Sequence, residues 1–137
     1  MGNKTRILVV DDEVGLCDFI SHYLRNRGFE VEVAFGASEA LSALQHADFD
    51  LVLADIMMPT IDGLELLRRI KESEPQTVVV MMTAYASIDK AMKAITYGAA
   101  DLLIKPFQMG TLLGVIKQSL ENASNSNPPA SPVRQTL

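Results

Sequence analysis

Three acids, Asp11, Asp12 and Glu13, directly follow the apolar run "ILVV" that starts at Ile7. Two carboxylates ~4 Å apart repel by ~4 kcal/mol at an effective dielectric near 20. Either the acids point apart or something cationic sits among them. A fourth acid, Asp55, follows "LVLA", Thr83 closes "VVVMMT", and Lys105 follows "LLI" immediately before Pro106. Carboxylates brought to one place would be tolerated if a hard cation and an ammonium sat among them. Magnesium prefers oxygen ligands and is commonly held by one or two carboxylates plus phosphate oxygens.

Those groups can meet only if the chain arranges the ends of several strands along one rim. Apolar bursts recur at "RILVV" (6–10), "VEVAF" (31–35), "DLVLA" (50–54), "TVVVMM" (77–82) and "DLLI" (101–104). Continuous Val/Leu/Ile runs are typical of parallel strands covered on both faces. The second burst alternates with Glu30 and Glu32, which predicts an edge strand. Between the bursts lie helical stripes. Leu16, Ile20, Tyr23 and Leu24 form the first, closed by Gly28 at a left-handed cap position. Ala40, Leu41 and Leu44 form the second, with Ser38 as the expected N-cap. Leu64, Leu67 and Ile70 form the third. Ala91, Ala94 and Ile95 form the fourth, started by Ser87 or Asp89 and closed by Gly98. Leu112, Leu113, Ile116 and Leu120 form the fifth. Five strand–helix alternations predict an α/β fold, a (βα)5 doubly wound parallel sheet. In such sheets, sites lie beyond the carboxyl ends of the strands. Asp11, Asp12, Asp55, Thr83 and Lys105 all occupy such ends.

Taken singly, each has a plainer role. An Asp after a strand is commonly a turn residue or N-cap, a strand Thr is commonly packing, and a loop Lys is commonly solvated. His22 and His46 stand on helical stretches without partners. Met57, Met58, Met81 and Met82 read as packing rather than ligands. Cys17, the sole cysteine, cannot form an internal disulfide and reads as a packed helical residue in a cytosolic protein. It is the joint placement of five polar groups that favours a site.

Composition narrows the classes. The 137 residues suit one domain, and 48% hydrophobic with 21% charged content is globular. Twelve basic against seventeen acidic residues give −5, with no basic block to form a nucleic-acid footprint. No apolar run is long enough to span a membrane. The "MGNKTR" start has no signal-peptide stretch, and Arg6 stands where a myristoylation motif needs Ser or Thr. From residue 122, "NASNSNPPASPVRQTL" reads as a linker or tail, giving a domain over 1–121 and a tail over 122–137.

"LVVDDE", "DLVLADIMMPTIDGLELLRRI", "MMTAY" and "LIKPF", in this order and spacing, resemble the receiver domain of two-component response regulators. The resemblance covers about residues 5 to 121. "TAYASIDKAMKAITYGAADLLIKPF" is most similar to receivers of NtrC-type transcriptional activators. The resemblance implies a flavodoxin-like strand order 2-1-3-4-5 and a cytoplasmic signalling protein. It implies that Asp55 accepts a phosphoryl group from a sensor histidine kinase. Mg²⁺, or Mn²⁺, would be held by Asp12, Asp55 and the Met57 backbone carbonyl, with Asp11 acting through water. Lys105 and the Thr83 hydroxyl would contact phosphoryl oxygens. Pro106 would follow a cis peptide that aims Lys105 inward, and Asp62-Gly63 would shape the loop entering the third helix.

Such a domain phosphorylates itself and slowly loses the group; it does not turn over a separate substrate. The 83–105 surface would switch toward an effector domain or output protein. Homodimerisation could use the face of the fourth helix, fifth strand and fifth helix. Receivers commonly carry Tyr or Phe three residues before the lysine, where this chain has Leu102. Tyr85 could partly substitute as the switching aromatic. Two other classes fit less well. A phosphohydrolase of the haloacid dehalogenase type would carry Asp-x-Asp and a substrate cap, and a pseudo-receiver would lack an acid or the lysine.

Overall fold

The computed structural model describes residues 4–85 and 87–125. Its elements run β1 (Arg6–Val10), α1 (Val14–Arg25), β2 (Glu30–Ala34), α2 (Ala37–His46), β3 (Leu51–Asp55), α3 (Gly63–Ser73), β4 (Val78–Thr83), α4 (Ile88–Thr96), β5 (Asp101–Ile104) and α5 (Met109–Asn125). All strand pairs are parallel, in the order β2-β1-β3-β4-β5. The alternating β2 is therefore an edge strand, as its sequence predicts.

The continuous apolar runs work because both faces of the sheet are covered. Leu8, Val10, Val52, Ala54, Val79 and Met81 point to one core, shared with Ala40 of α2, Leu64, Leu67 and Ile70 of α3, and Ala94 of α4. Ile7, Val9, Leu51, Leu53, Val80 and Met82 point to the other, with Cys17, Ile20 and Leu24 of α1 and Leu112 and Ile116 of α5. Strand periodicity of two sends alternate residues to opposite layers. Each fully buried Leu or Ile contributes roughly 1.5–3 kcal/mol.

Three local readings need correction. The N-cap of α2 is Gly36, and Ser38 lies inside the helix; Glu39 Oε1 instead accepts from the Phe35 amide at 2.7 Å. Ile95 of α4 is 72% exposed, so only Ala94 of that stripe is buried. Helix α5 continues to Asn125, past the boundary at 121. The rest of the Asn/Ser/Pro-rich stretch, like Gly2, lies outside the described residues. Elsewhere the cap signals hold. Gly28 and Gly98 adopt φ of 95° and 104°, and Ser87 Oγ accepts from the Lys90 amide at 3.2 Å.

The junction between β3 and α3 matters most for the site. Asp62 caps α3, its Oδ1 accepting from the Glu65 amide at 3.0 Å. Gly63 donates its own amide to the Ile56 carbonyl at 2.7 Å. A Cβ at residue 63 would overlap the Asp55 carbonyl oxygen and lie 2.7 Å from the Ile56 Cα. Both obstacles are backbone, so neither can rotate away. Gly63→Ala is expected to destabilise the domain by about 3 kcal/mol, as overpacking against rigid backbone does. Urea titration checks this; a loss under about 0.5 kcal/mol would contradict the tight packing.

Candidate functional site

The strand order makes the site. From β1 the chain passes to β2 on one side, and from β3 onward it builds outward on the other. The crevice at that reversal, beyond the strand ends, lies between the ends of β1 and β3. Val10 pairs with Ala54, so the residues that follow, Asp11 and Asp55, come side by side. Three backbone bonds carry the alignment past the strand ends. Asp11 donates to the Ala34 carbonyl at 3.1 Å, Ile56 to Met82 at 2.8 Å, and Lys105 to Thr83 at 2.8 Å.

The repulsion among the acids is met by an ammonium. Lys105 Nζ donates to Asp11 Oδ2 at 2.7 Å, to Asp55 Oδ2 at 2.9 Å and to Glu13 Oε1 at 3.2 Å. The Lys105–Pro106 peptide is cis. Asp11 is wholly buried, and its other oxygen accepts from the Glu13 amide at 2.9 Å. Asp55 is 5% exposed, and its Oδ1 accepts from the Met57 amide at 3.0 Å. Asp12 stands exposed beside them. One carboxylate oxygen each from Asp11, Asp12 and Asp55 lies within 4.8 Å of the others. That hard, anionic oxygen set fits a divalent cation such as Mg²⁺.

Burial pushes the Asp55 carboxyl above the usual aspartate value, opposed by hydrogen bonds from Lys105 and the Met57 amide; the Asp11 charge adds to the rise. Burial alone would lower Lys105, but its hydrogen bonds to Asp11 and Asp55 outweigh that and hold it charged, above the usual lysine range. Lys105 is thus a fixed cation at any physiological pH.

Thr83 is fully buried and does not hydrogen-bond the acids; its Oγ1 accepts from the Tyr85 amide at 3.1 Å. Accepting there leaves its O–H free to donate elsewhere. Tyr85 is 70% exposed. Leu102 is half-buried, pairs with Met81 and packs against the core beneath α3 and α4.

Of the residues set aside as packing, Met57 is the exception, 46% exposed on the rim; the others are buried. Cys17 is buried, donates to the Asp11 carbonyl at 3.3 Å, and its thiol is pushed up to about 12 by burial first and the Asp11 charge second. His22 and His46 are exposed on α1 and α2. Met58, Met81 and Met82 are buried. Two features escape sequence reasoning. Glu13 joins the lysine rather than the helix it precedes, and Lys90 of α4 donates to the Met57 thioether at 3.0 Å. The run of three acids signals the first; a contact across 33 residues leaves no local signal for the second.

Residues 7–117 match the family described as the response regulator receiver domain. The chain is 39% identical over 135 residues to the transcriptional regulatory protein ZraR of Klebsiella oxytoca, covering 98% of this chain and 30% of that protein. It is 36% identical to TrcR of Mycobacterium tuberculosis over 94% of this chain and 50% of that protein. It therefore spans half or less of the length of these curated relatives. Among solved structures, a receiver domain protein from Methanospirillum hungatei superposes with a TM-score of 0.88 at 33% identity, covering 91% of this chain and all of that one. NtrX from Brucella abortus gives 0.81 at 38% identity, over 89% of this chain and 27% of that one. Motif order, strand order, the acid–lysine rim and these likenesses agree that the chain belongs to the receiver domain family of response regulators, signalling domains rather than metabolic enzymes.

Proposed function

We propose that Asp55 is the phosphoacceptor and that a sensor histidine kinase's phosphohistidine is the donor. The observation that carries this reading is the Asp55 carboxylate held 2.9 Å from Lys105 at the switch point of the sheet, beside Asp11 and Asp12. One Asp55 oxygen attacks phosphorus. The new P–O bond forms as the P–N bond breaks, and the imidazole keeps the electron pair and takes a proton from solvent. Lys105 neutralises charge on the phosphoryl oxygens, and the free Thr83 O–H donates to one of them. Asp12, Asp55 and the Met57 carbonyl would hold Mg²⁺ or Mn²⁺, with Asp11 acting through water, and the ion would supply further charge neutralisation. Most of the catalysis is positioning. The domain labels itself and slowly hydrolyses the label.

Incubation with acetyl phosphate and Mg²⁺ followed by intact mass tests this. A single phosphate addition is expected; continuous phosphate release over many turnovers would favour a hydrolase instead.

The output would run through residues 83–105 to an effector domain or partner protein, in the cytoplasm, with no nucleic-acid or membrane contact by this chain. Among the described residues, no helix is long and apolar enough to cross a membrane. Ile88, Met92 and Ile95 stand exposed on α4 and Ile104 on β5, an apolar face that supports homodimerisation through α4, β5 and α5. The receiver domain takes residues 1–121 and the stretch 122–137 is a linker or tail, into whose first residues α5 runs as far as Asn125.

Leucine at 102 has no hydroxyl to exchange hydrogen bonds, so its rotamers should alter the α4–β5 surface little. The switch can move only as far as the phosphoryl group distinguishes its two states. Thr83→Ala is expected to impair the conformational response, and Leu102→Ala to change it slightly. Backbone amide NMR with and without beryllofluoride, an acyl-phosphate mimic, checks this. A Leu102→Ala protein that binds the mimic but loses every shift change across residues 87–105 would overturn it.

A further inference from the structure

Glu13 sits at the N-cap of α1, in extended backbone, yet its side chain caps nothing. The first turn of α1 carries no acidic residue either. The Glu13 carboxylate turns instead to Lys105 Nζ at 3.2 Å. An ammonium has three N–H donors, and here carboxylates take all of them, Asp11, Asp55 and Glu13. The three are unequal. The Asp11 and Asp55 side chains are 0% and 8% exposed, whereas that of Glu13 is 65% exposed and makes the longest contact.

We propose that Glu13 is a positioning residue that occupies, in the resting state, the Lys105 donor later taken by the phosphoryl oxygen. The proposal rests on the reading of Asp55 as acceptor and deepens it. A phosphoryl group on Asp55 needs a donor from Lys105, and one carboxylate must yield. Asp11 cannot leave without stranding a buried charge, and Asp55 carries the phosphorus. Glu13 swings into water at little cost. Until then it keeps Lys105 fully paired and aimed at the rim, and it competes with the incoming group.

Two substitutions separate contact from charge. Glu13→Gln removes the charge. Glu13→Asp keeps it, but a short acid at an N-cap bonds the free amides of its own helix and so withdraws from Lys105. Beryllofluoride affinity at saturating Mg²⁺, followed by amide NMR, is expected to tighten about two- to fivefold in both variants, the size of one partly exposed charge contact. Mg²⁺ affinity without beryllofluoride should weaken in Glu13→Gln and hold in Glu13→Asp, because it follows charge. If both variants bind beryllofluoride no tighter than wild type, Glu13 holds no place for the phosphoryl group. If Glu13→Gln alone tightens, distant charge and not the contact is responsible, and the proposal also falls. Wild type that binds no beryllofluoride, or binds it equally as Asp55→Asn, removes the acceptor reading itself and this inference with it.

Discussion

Asp55→Asn should fold and yet accept no phosphoryl group. Acetyl phosphate with Mg²⁺ should add one phosphate to the wild type and none to the variant, by intact mass. The amide cannot attack phosphorus, and the other acids are placed differently: Asp11 is fully buried, and Asp12 and Glu13 are exposed. Stability should not suffer greatly. Asn is nearly isosteric and can still accept from the Met57 amide, while Lys105 keeps Asp11 at 2.7 Å. The change should stay within about 1 kcal/mol, the scale of one net hydrogen bond. Its pH dependence has a definite sign. Burial raises the carboxyl's folded pKa, so the folded state binds the proton more tightly than the unfolded chain does. Wild type therefore loses stability as pH rises from the ordinary aspartate value through the raised one. Asp55→Asn lacks that loss and should gain on the wild type across the same window. Undiminished labelling of the variant at another residue would sink the assignment of Asp55.

Much of this arrangement is legible in the residue order, for physical reasons that also mark where legibility stops. Strands buried on two faces must be continuously apolar, so β1, β3 and β4 announce themselves, and the glutamates of β2 betray an edge. Caps are readable where a side chain does the capping, as Ser87 and Asp62 do. Ser38 misleads because the α2 entry is held by Glu39 reaching back to Phe35, with Gly36 at the cap. Ile95 misleads for another reason. A helical apolar stripe has the same pattern whether it faces the core or a partner, and α4 packs through small Ala94 while Ile88, Met92 and Ile95 face outward. The Asn/Ser composition after residue 121 does not stop α5, because the preceding turns are already formed and adding residues to an existing helix is easy. The rim itself is legible as a set of strand-end residues. What spacing cannot tell is how one lysine divides its three donors, because that depends on side-chain reach across the sheet.

The exposed acid of the rim bears the second large expectation. Lys105 offsets Asp11 and Asp55 directly, whereas Asp12, among the described residues, has no ion pair. With no divalent cation present, its charge only repels the neighbouring carboxylates, whose oxygens lie within 4.8 Å. Asp12→Asn, or Asp12→Ala, should therefore melt higher than wild type in chelator, by roughly 0.5–1 kcal/mol given its exposure. Added Mg²⁺ should reverse the order. A cation that binds the native state alone stabilises by mass action, about 1.4 kcal/mol at a tenfold excess over its Kd. That corresponds to a rise of roughly 5 °C in Tm for a domain of this size. The variant, left with Asp55 alone for direct carboxylate ligation, should show almost none of that rise. Thermal melts in chelator and in millimolar Mg²⁺ give all four values from two proteins. Equal Mg²⁺ shifts would place the cation elsewhere. A variant less stable than wild type in chelator would mean that Asp12 supports the fold through a contact stronger than the repulsion it carries.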